Sequence, residues 1–343
     1  MTRHLAPAEE APHARTWMCW PAMKRNYQYR GRPAGYYAEV KSTIGRLAAA
    51  IARHEPVVMC ASPDELAQAR AACGNGVEVV PIPTDDMWAR DSGPVFVVGQ
   101  DGQKAGVILN FNAWGGKWHQ PLDALLAGRI LDHLGLPAIE AAVVGEGGGI
   151  EFDGQGTLLL TESCWVNDNR NAGRTRDEIE AELRRVLGVE QVIWLKGVAG
   201  EEETDGHIDG YVRFIRPGLV LMSGADTADA RWGGDTVWDE DYRDAKERLR
   251  NARDAAGRRF EIVELPWATT SRSTDPRFFT SYANFYVGNG AVYSPQFGDD
   301  KADARAEETL KALFPGREVV MLEVDRIYEN GGGVHCVTQQ EPA

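Results

Sequence analysis

Short apolar runs alternate along the chain with longer stretches whose apolar residues recur every three or four positions. Val40, Ile44, Leu47 and Ile51 have helical spacing and predict a helix over 35–54, followed by a buried-type strand Val57-Val58-Met59-Cys60. A short helix is expected from Pro63 with Ser62 as its N-cap, then a strand over 77–82. The order strand, strand, helix, strand, polar loop then recurs. Strands at 95–98 and 107–111 precede a helix near 121–134 and a strand at 139–144. Strands at 150–152 and 157–161 precede a helix over 176–187, capped by Thr175, and a strand at 191–195. Strands at 211–215 and 219–223 precede a charged helix near 239–256 and a strand at 260–265. Strands at 284–287 and 291–293 precede a helix near 301–313 and a strand at 318–322. Residues 1–34, rich in Pro, Arg and aromatics, read as an irregular arm whose Trp17, Trp20, Tyr27 and Tyr29 pack on the body.

This makes five rounds, counting a shortened first one. Their polar loops recur at about 55 to 75 residues, a period that points to a radial or stacked architecture. The rounds share a pattern and no sequence identity. Units set around an axis would bring their loops together at one end, and with them Asp91, Glu146, His207, Asp209 and Cys336. No Ser/Gly-rich linker interrupts the pattern, so residues 1–343 are read as one domain.

Composition narrows the class. A hydrophobic content of 43% and a charged content of 26% fit a soluble globular protein. The net charge of −14 argues against a nucleic-acid or anionic-membrane partner and is compatible with a small cationic one. No run approaches the length of a membrane span, and Met1 to Pro12 lacks the apolar core of a signal peptide. Cys19, Cys60, Cys73, Cys164 and Cys336 lie far apart without a CxxC, which predicts reduced thiols in a cytoplasmic protein rather than disulfides or zinc.

The polar loops carry the candidate chemistry. Gly331-Gly332-Gly333 predicts a tight turn before a β-like run, Val334-His335-Cys336-Val337-Thr338. Cys336 is the candidate nucleophile, and a thiol needs activation to attack. On a strand the adjacent His335 would face the other way, so the base must come from another loop, and His207 is the candidate. His207 and Asp209, two apart, would line one pocket if extended. Asp91, in Trp88-Ala89-Arg90-Asp91-Ser92-Gly93-Pro94, reads either as a turn carboxylate or as an acceptor for paired N–H groups of a planar cation. Glu146, in Gly145-Glu146-Gly147-Gly148-Gly149, lacks the features of a phosphate loop. It reads as part of a flexible turn, or as a carboxylate that glycines allow close to a histidine. A metal held by His207, Asp209 and Glu146 is a further reading, but the H-x-D pair leaves that ligand set incomplete. One thiol, one histidine and three carboxylates suit a cationic electrophile better than an acyl group, whose oxyanion needs donors. A guanidinium is planar, cationic and matched to carboxylates.

The motifs Trp88-x-Arg90-Asp91-x-Gly93-Pro94, Glu146-Gly-Gly, Thr204-Asp205-Gly206-His207-Ile208-Asp209 and Gly331-Gly-Gly-x-His-Cys336-x-Thr-Gln-Gln together resemble the agmatine deiminases of the guanidino-group-modifying superfamily. Phe111-Asn112-Ala113-Trp114-Gly115-Gly116 and Asn167-x-Asn169-Arg170-Asn171 extend the resemblance, which runs from about Trp17 to the end. It implies an α/β fold, a five-bladed propeller (pentein) of ββαβ units. It implies that Cys336 forms a covalent amidino-cysteine, that His207 serves as acid and then base, that Asp91 and Asp209 clamp the guanidinium, and that Glu146 orients His207. Trp88, Glu203 and Asp85 would bind the rest of the substrate. Agmatine would give N-carbamoylputrescine and ammonia without metal or organic cofactor. Glu201-Glu202-Glu203 favours an amine at the substrate's far end over a carboxylate. Deimination of arginine or peptidyl-arginine, amidino transfer, and guanidinium binding without catalysis are the alternatives. The chain departs from the family in one place: Val334 alone stands where the family's turn carries Asn-Ile. A homo-oligomer is compatible with the sequence, which does not specify one.

Overall fold

The helix and strand stretches fold largely where their periodicity places them. The computed structural model describes residues 4–22, 31–33, 35–224 and 236–343, so the expected packing of Tyr27 and Tyr29 lies outside the described residues. The helix Tyr36–Ile51 buries Val40, Ile44, Leu47 and Ile51, the stripe read from the sequence. Arg176–Leu187 starts at a capping box in which Thr175 and Glu178 satisfy each other's backbone N–H, and it ends at Gly188, whose φ of 71° suits glycine. Two boundaries differ for local reasons. The helix after Pro63 begins only at Leu66, after a turn in which the Glu65 amide donates to the Ser62 carbonyl at 2.8 Å. The strand expected to run to Phe111 is Lys104–Ile108; Asn110, at φ 58°, turns the backbone out of the sheet.

Among the described residues the strands form five sheets of three or four strands each. In four of them an antiparallel pair is extended by a parallel strand that follows a helix. Thus Val95–Gly99 pairs antiparallel with Lys104–Ile108, which pairs parallel with Ala138–Glu140 after the helix Leu126–Leu134. Ile150–Phe152, Thr157–Thr161 and Gln191–Leu195 repeat this arrangement. So do Val212–Arg216, Leu219–Ser223 and Glu261–Leu265, and then Tyr286–Val287, Ala291–Pro295 and Glu318–Leu322. A helix is the usual crossover that parallel neighbours require.

The fifth sheet explains why the first round read as shortened. Its strands run Gln339–Pro342, His13–Cys19, Val57–Cys60 and Val77–Val80. The C-terminal strand pairs antiparallel with His13–Cys19, so the end of the chain supplies the opening strand that the first unit lacks. Within residues 1–34, the expectation of an irregular arm is therefore corrected: His13–Cys19 is an inner strand, and His4–Leu5 adds to the edge of the next sheet. Its sequence, HARTWMC, has no clean alternation because both its faces are largely covered. Trp17 is fully buried, with its indole N–H donating to Glu341 at 3.0 Å. Glu341 also pairs with Lys104 at 2.8 Å and Arg15 at 3.1 Å, joining the two ends of the chain to the second sheet.

Trp17→Ala should therefore cost about 3–5 kcal/mol in urea unfolding, the range for an emptied aromatic core site. An arm lying on the surface would lose no more than about 0.5 kcal/mol.

Candidate active site

Residues 334–337 form a turn, where the sequence suggested a β-like run. The Thr338 amide donates to the His335 carbonyl at 3.1 Å and its hydroxyl to the Val334 carbonyl at 3.0 Å, which closes the turn before the strand starts at Gln339. The glycines beneath it are tightly enclosed. A Cβ on Gly332 would stand 2.4 Å from the Trp88 ring, and one on Gly333 2.3 Å from Asn284 Oδ1. Cys336 is buried on this turn. Its sulfur receives Asn284 Nδ2–H at 3.3 Å and lies 3.7 Å from Asp209 Oδ2, while its carbonyl accepts the Arg90 amide at 3.1 Å. Three of the predicted loops thus meet at the thiol. His335 does turn away from the pocket, but because of the turn and not because of strand alternation: its ring sits between Asp209 and Glu9.

His207 precedes a 3₁₀ turn, Ile208–Gly210, instead of lying on a strand. His207 and Asp209 nevertheless face one region, because Asp205 and Gly206, at φ 61° and 92°, fold the loop inward. His207 Nε2 lies 3.2 Å from Glu146 Oε2. Glu146 is itself fully enclosed and receives Arg170 Nε–H at 2.9 Å on both oxygens. Arg170 is fixed further by Asp205 at 2.8 Å and the Thr204 carbonyl at 2.9 Å. His207 Nδ1 is buried with no hydrogen-bond partner among the described residues; Asp91 Oδ1 is 3.7 Å away.

Asp91 lies on a four-residue helix, Ala89–Ser92. Its carboxylate accepts Trp114 Nε1–H at 3.0 Å and the Gly148 amide at 3.1 Å. Trp114 and Ala113, at φ 55° and 59°, hold left-handed backbone that non-glycine residues rarely adopt, and this aims the indole at Asp91. Gly148 measures how closely the loops converge. A Cβ there would lie 2.6 Å from His207 Nδ1, 2.8 Å from Asp91 Oδ1 and 3.1 Å from Asp209 Oδ2. Only a residue without a side chain lets these three groups surround one point.

The electrostatics separate the acids. Burial pushes the Glu146 carboxyl up, but Arg170 and His207 outweigh it and hold it below the usual range. For Asp209 burial is likewise outweighed, by the His335 contact and by the charges of His335, His207 and Arg213. Asp91 has only the His207 ring, 3.7 Å away, to offset its burial. Burial drives its carboxyl up to about 6, with Asp209 and Glu146 adding to the rise and His207 opposing it. Burial would lower the His207 imidazole, yet Asp91, Cys164 and Glu146 hold it well above its ordinary value. Burial and the charges of Asp209 and Asp91 push the Cys336 thiol well up.

Cys336 and Asp91 line a narrow pocket together with Trp88, Trp114, Trp118 and Glu203. Trp118 Nε1–H donates to Glu203 at 2.9 Å, leaving an acid beside three indoles. Asp85 is not among the lining residues. Its carboxylate accepts the Leu122 amide at 2.7 Å and its own amide donates to Asp123, so it ties the loop to the next helix. Sequence reasoning gave no role to Arg170, Trp114, Trp118 or Asn284. The signals for the first two lay in the segments 167–171 and 111–116, quoted above only for their resemblance. Cys164, one of the thiols expected to be reduced, places its sulfur 3.7 Å from Glu146 Oε2. Glu146, Cys164 and His207 thus bring ligand-type atoms within 4.8 Å of one another, a different set from the His207, Asp209 and Glu146 considered above. Arg170 already supplies positive charge to Glu146 there, which disfavours a metal ion.

Residues 5–342 match the family model of the Porphyromonas-type peptidyl-arginine deiminases. The chain is 38% identical to an agmatine deiminase of Medicago truncatula, covering 98% of this chain and 96% of the relative. It is 39% identical to one of Pseudomonas aeruginosa (strain LESB58), covering 98% and 95%. A solved structure of the Enterococcus faecalis agmatine deiminase superposes with a TM-score of 0.88 at 30% identity, over 99% of this chain and 96% of that one. The fold is thus the α/β fold of these enzymes, and the chain belongs to the Porphyromonas-type peptidyl-arginine deiminase family.

Proposed function

We propose that the chain is an agmatine deiminase, a single catalytic domain that hydrolyses agmatine to N-carbamoylputrescine and ammonia. We further propose that its five sheets stand radially as propeller blades, which accounts for five loops meeting at one place. The observation that carries the functional reading is a buried thiol 3.7 Å from Asp209, whose same oxygen closes around one point with Asp91 and His207, at the wall of a tryptophan- and glutamate-lined pocket.

The guanidinium lies between Asp91 and Asp209, which accept its N–H pairs. Its charge offsets the two carboxylates that hold the Cys336 thiol up, so the thiolate forms and its proton leaves to solvent. Sulfur then attacks the guanidinium carbon, forming a C–S bond. The C–N bond breaks as the His207 imidazolium gives its proton to the departing ammonia, leaving an amidino-cysteine and neutral His207. Water adds to that carbon and its proton passes to His207. The C–S bond breaks, returning the thiolate, and the added hydroxyl loses its remaining proton to solvent as the carbamoyl product is released. Glu146, fixed by Arg170, favours the imidazolium that the first step requires. Trp88, Trp114 and Trp118 with Glu203 suit the substrate's far ammonium, since indole faces and a carboxylate both attract a cation. Arg277 also lines the pocket and is the one feature that favours a guanidino substrate ending in a carboxylate. Arginine is therefore the informative comparison substrate.

Acid-quenched enzyme taken during turnover should carry an amidino adduct on Cys336 by mass spectrometry. Cys336→Ala should release no ammonia from agmatine while unfolding at the wild-type temperature; turnover by that variant, or arginine preferred over agmatine, would reject the assignment. Asp91 must be ionised to hold the cation, so kcat/KM should rise with pH through about 6 and fall away below it. A flat profile between pH 5 and 7, about a unit either side of that value, would remove Asp91 from the clamp. Gly148→Ala should lower kcat/KM by at least about 100-fold, because its methyl displaces His207 and Asp91. A variant within about threefold of wild type would mean that these groups need not converge.

A further inference from the structure

Glu9 lies in the N-terminal segment, outside every motif of the site, yet it is buried behind Cys336. Its Oε2 is 2.7 Å from His335 Nε2 and 3.3 Å from Arg90, and its Oε1 takes Arg213 at 3.0 Å and the Val287 amide at 2.8 Å. On the other side of the imidazole, His335 Nδ1 is 2.7 Å from Asp209 Oδ2. This is the same oxygen that faces the Cys336 sulfur and the point shared with His207 and Asp91. A neutral imidazole has one N–H, whereas ionised carboxylates only accept. Two such contacts to two carboxylates therefore make His335 an imidazolium that donates at both ends.

We propose that Glu9 and His335 are positioning residues of the deiminase reaction: Glu9 anchors the His335 imidazolium, whose Nδ1–H sets the angle of the Asp209 carboxylate and keeps it charged for the guanidinium. The inference rests on the reading of Asp209 as a guanidinium clamp. Several charges bear on the relay. Asp209 is faced by His335, His207, Arg213, Asp91 and Cys336, and Glu9 by His335, Arg90, Arg213, Glu10, Glu151 and Tyr286, with Arg213 also paired with Glu151 at 3.1 Å. Both Glu9 and Asp209 are held below the usual carboxylate range, burial being outweighed in each case by these cations. Without His335, Asp209 keeps the burial that raises it and loses the donor that lowers it.

The test uses side-chain amides as partial histidines. Asparagine puts its N–H where Nδ1 was and keeps the Asp209 contact; glutamine reaches the Nε2 position and keeps the Glu9 contact. With agmatine as substrate, His335→Gln should lower kcat/KM about 100-fold and move the acid limb of its pH profile to higher pH. His335→Asn should stay within about fivefold of wild type with the limb in place. Glu9→Gln, which frees the far end of the imidazole, should lose about tenfold and shift the limb in the same direction. Equal losses in both His335 variants with unmoved limbs, or wild-type behaviour of His335→Gln, would overturn the relay. If His335→Gln does not fold, Glu9→Gln decides, and an unshifted limb there overturns it equally. Asp209→Asn measured alongside separates the two readings. Activity in that variant removes the clamp itself, whereas its loss with both His335 variants at wild-type level removes only the relay.

Discussion

Enclosing three carboxylates and a histidine in one buried site beside a thiol is the constraint on which this structure depends. Unpaired buried charge is costly, and a buried acid left alone takes up a proton. Two of the three have built-in cations. Arg170 answers Glu146, and the His335 imidazolium answers Asp209. Asp91 is held by the neutral donors Trp114 and Gly148, with His207 at 3.7 Å, and its carboxyl rises to about 6. The incomplete charge balance is therefore confined to Asp91 and Cys336, both on the pocket wall. A guanidinium is the proposed missing charge, and its arrival favours the carboxylate form of one and the thiolate form of the other.

Such a site needs rigid support, because carboxylates this close would otherwise separate. The loops leave the sheets at fixed points, and glycines let them approach: Gly147 would place a Cβ 2.2 Å from the Arg90 carbonyl, and Gly148 one among His207, Asp91 and Asp209. Behind the thiol, Arg90, Arg213, Glu9, Glu151, Asp209 and His335 form a buried network of alternating sign. The pairing of the C-terminal strand with His13–Cys19 begins three residues after Cys336 and ties the turn that carries this thiol to the start of the chain. Closure of the fold and placement of the sulfur are thus mechanically linked.

The helix over 36–51, its buried stripe, the Thr175 cap and most strands followed from local period and local hydrogen bonding, which the sequence encodes within a few residues. The functional groups that the loops bring together were legible in the same way. A thiol, a histidine and three acids in polar loops already pointed to a cation, and four of the loops carry those residues at the positions expected. Reading failed where the deciding partner is distant. HARTWMC appeared irregular because the strand that completes it is at the other end of the chain. Val334–Thr338 appeared extended although its turn is closed by its own carbonyls against Asn284 and Tyr328. Asp85 carries a carboxylate in a suitable loop, but the Leu122 amide holds it out of the pocket.

The sequence by itself determined which elements form, how often the unit recurs, and which functional groups the loops carry, because these depend on side-chain period and identity. Only the tertiary structure decided which acids acquire a cation, which histidine faces the thiol's neighbours and which is locked behind it, and where the first strand finds its partner. Those outcomes depend on distances of a few ångströms between residues far apart in the chain, and local pattern contains no information about them.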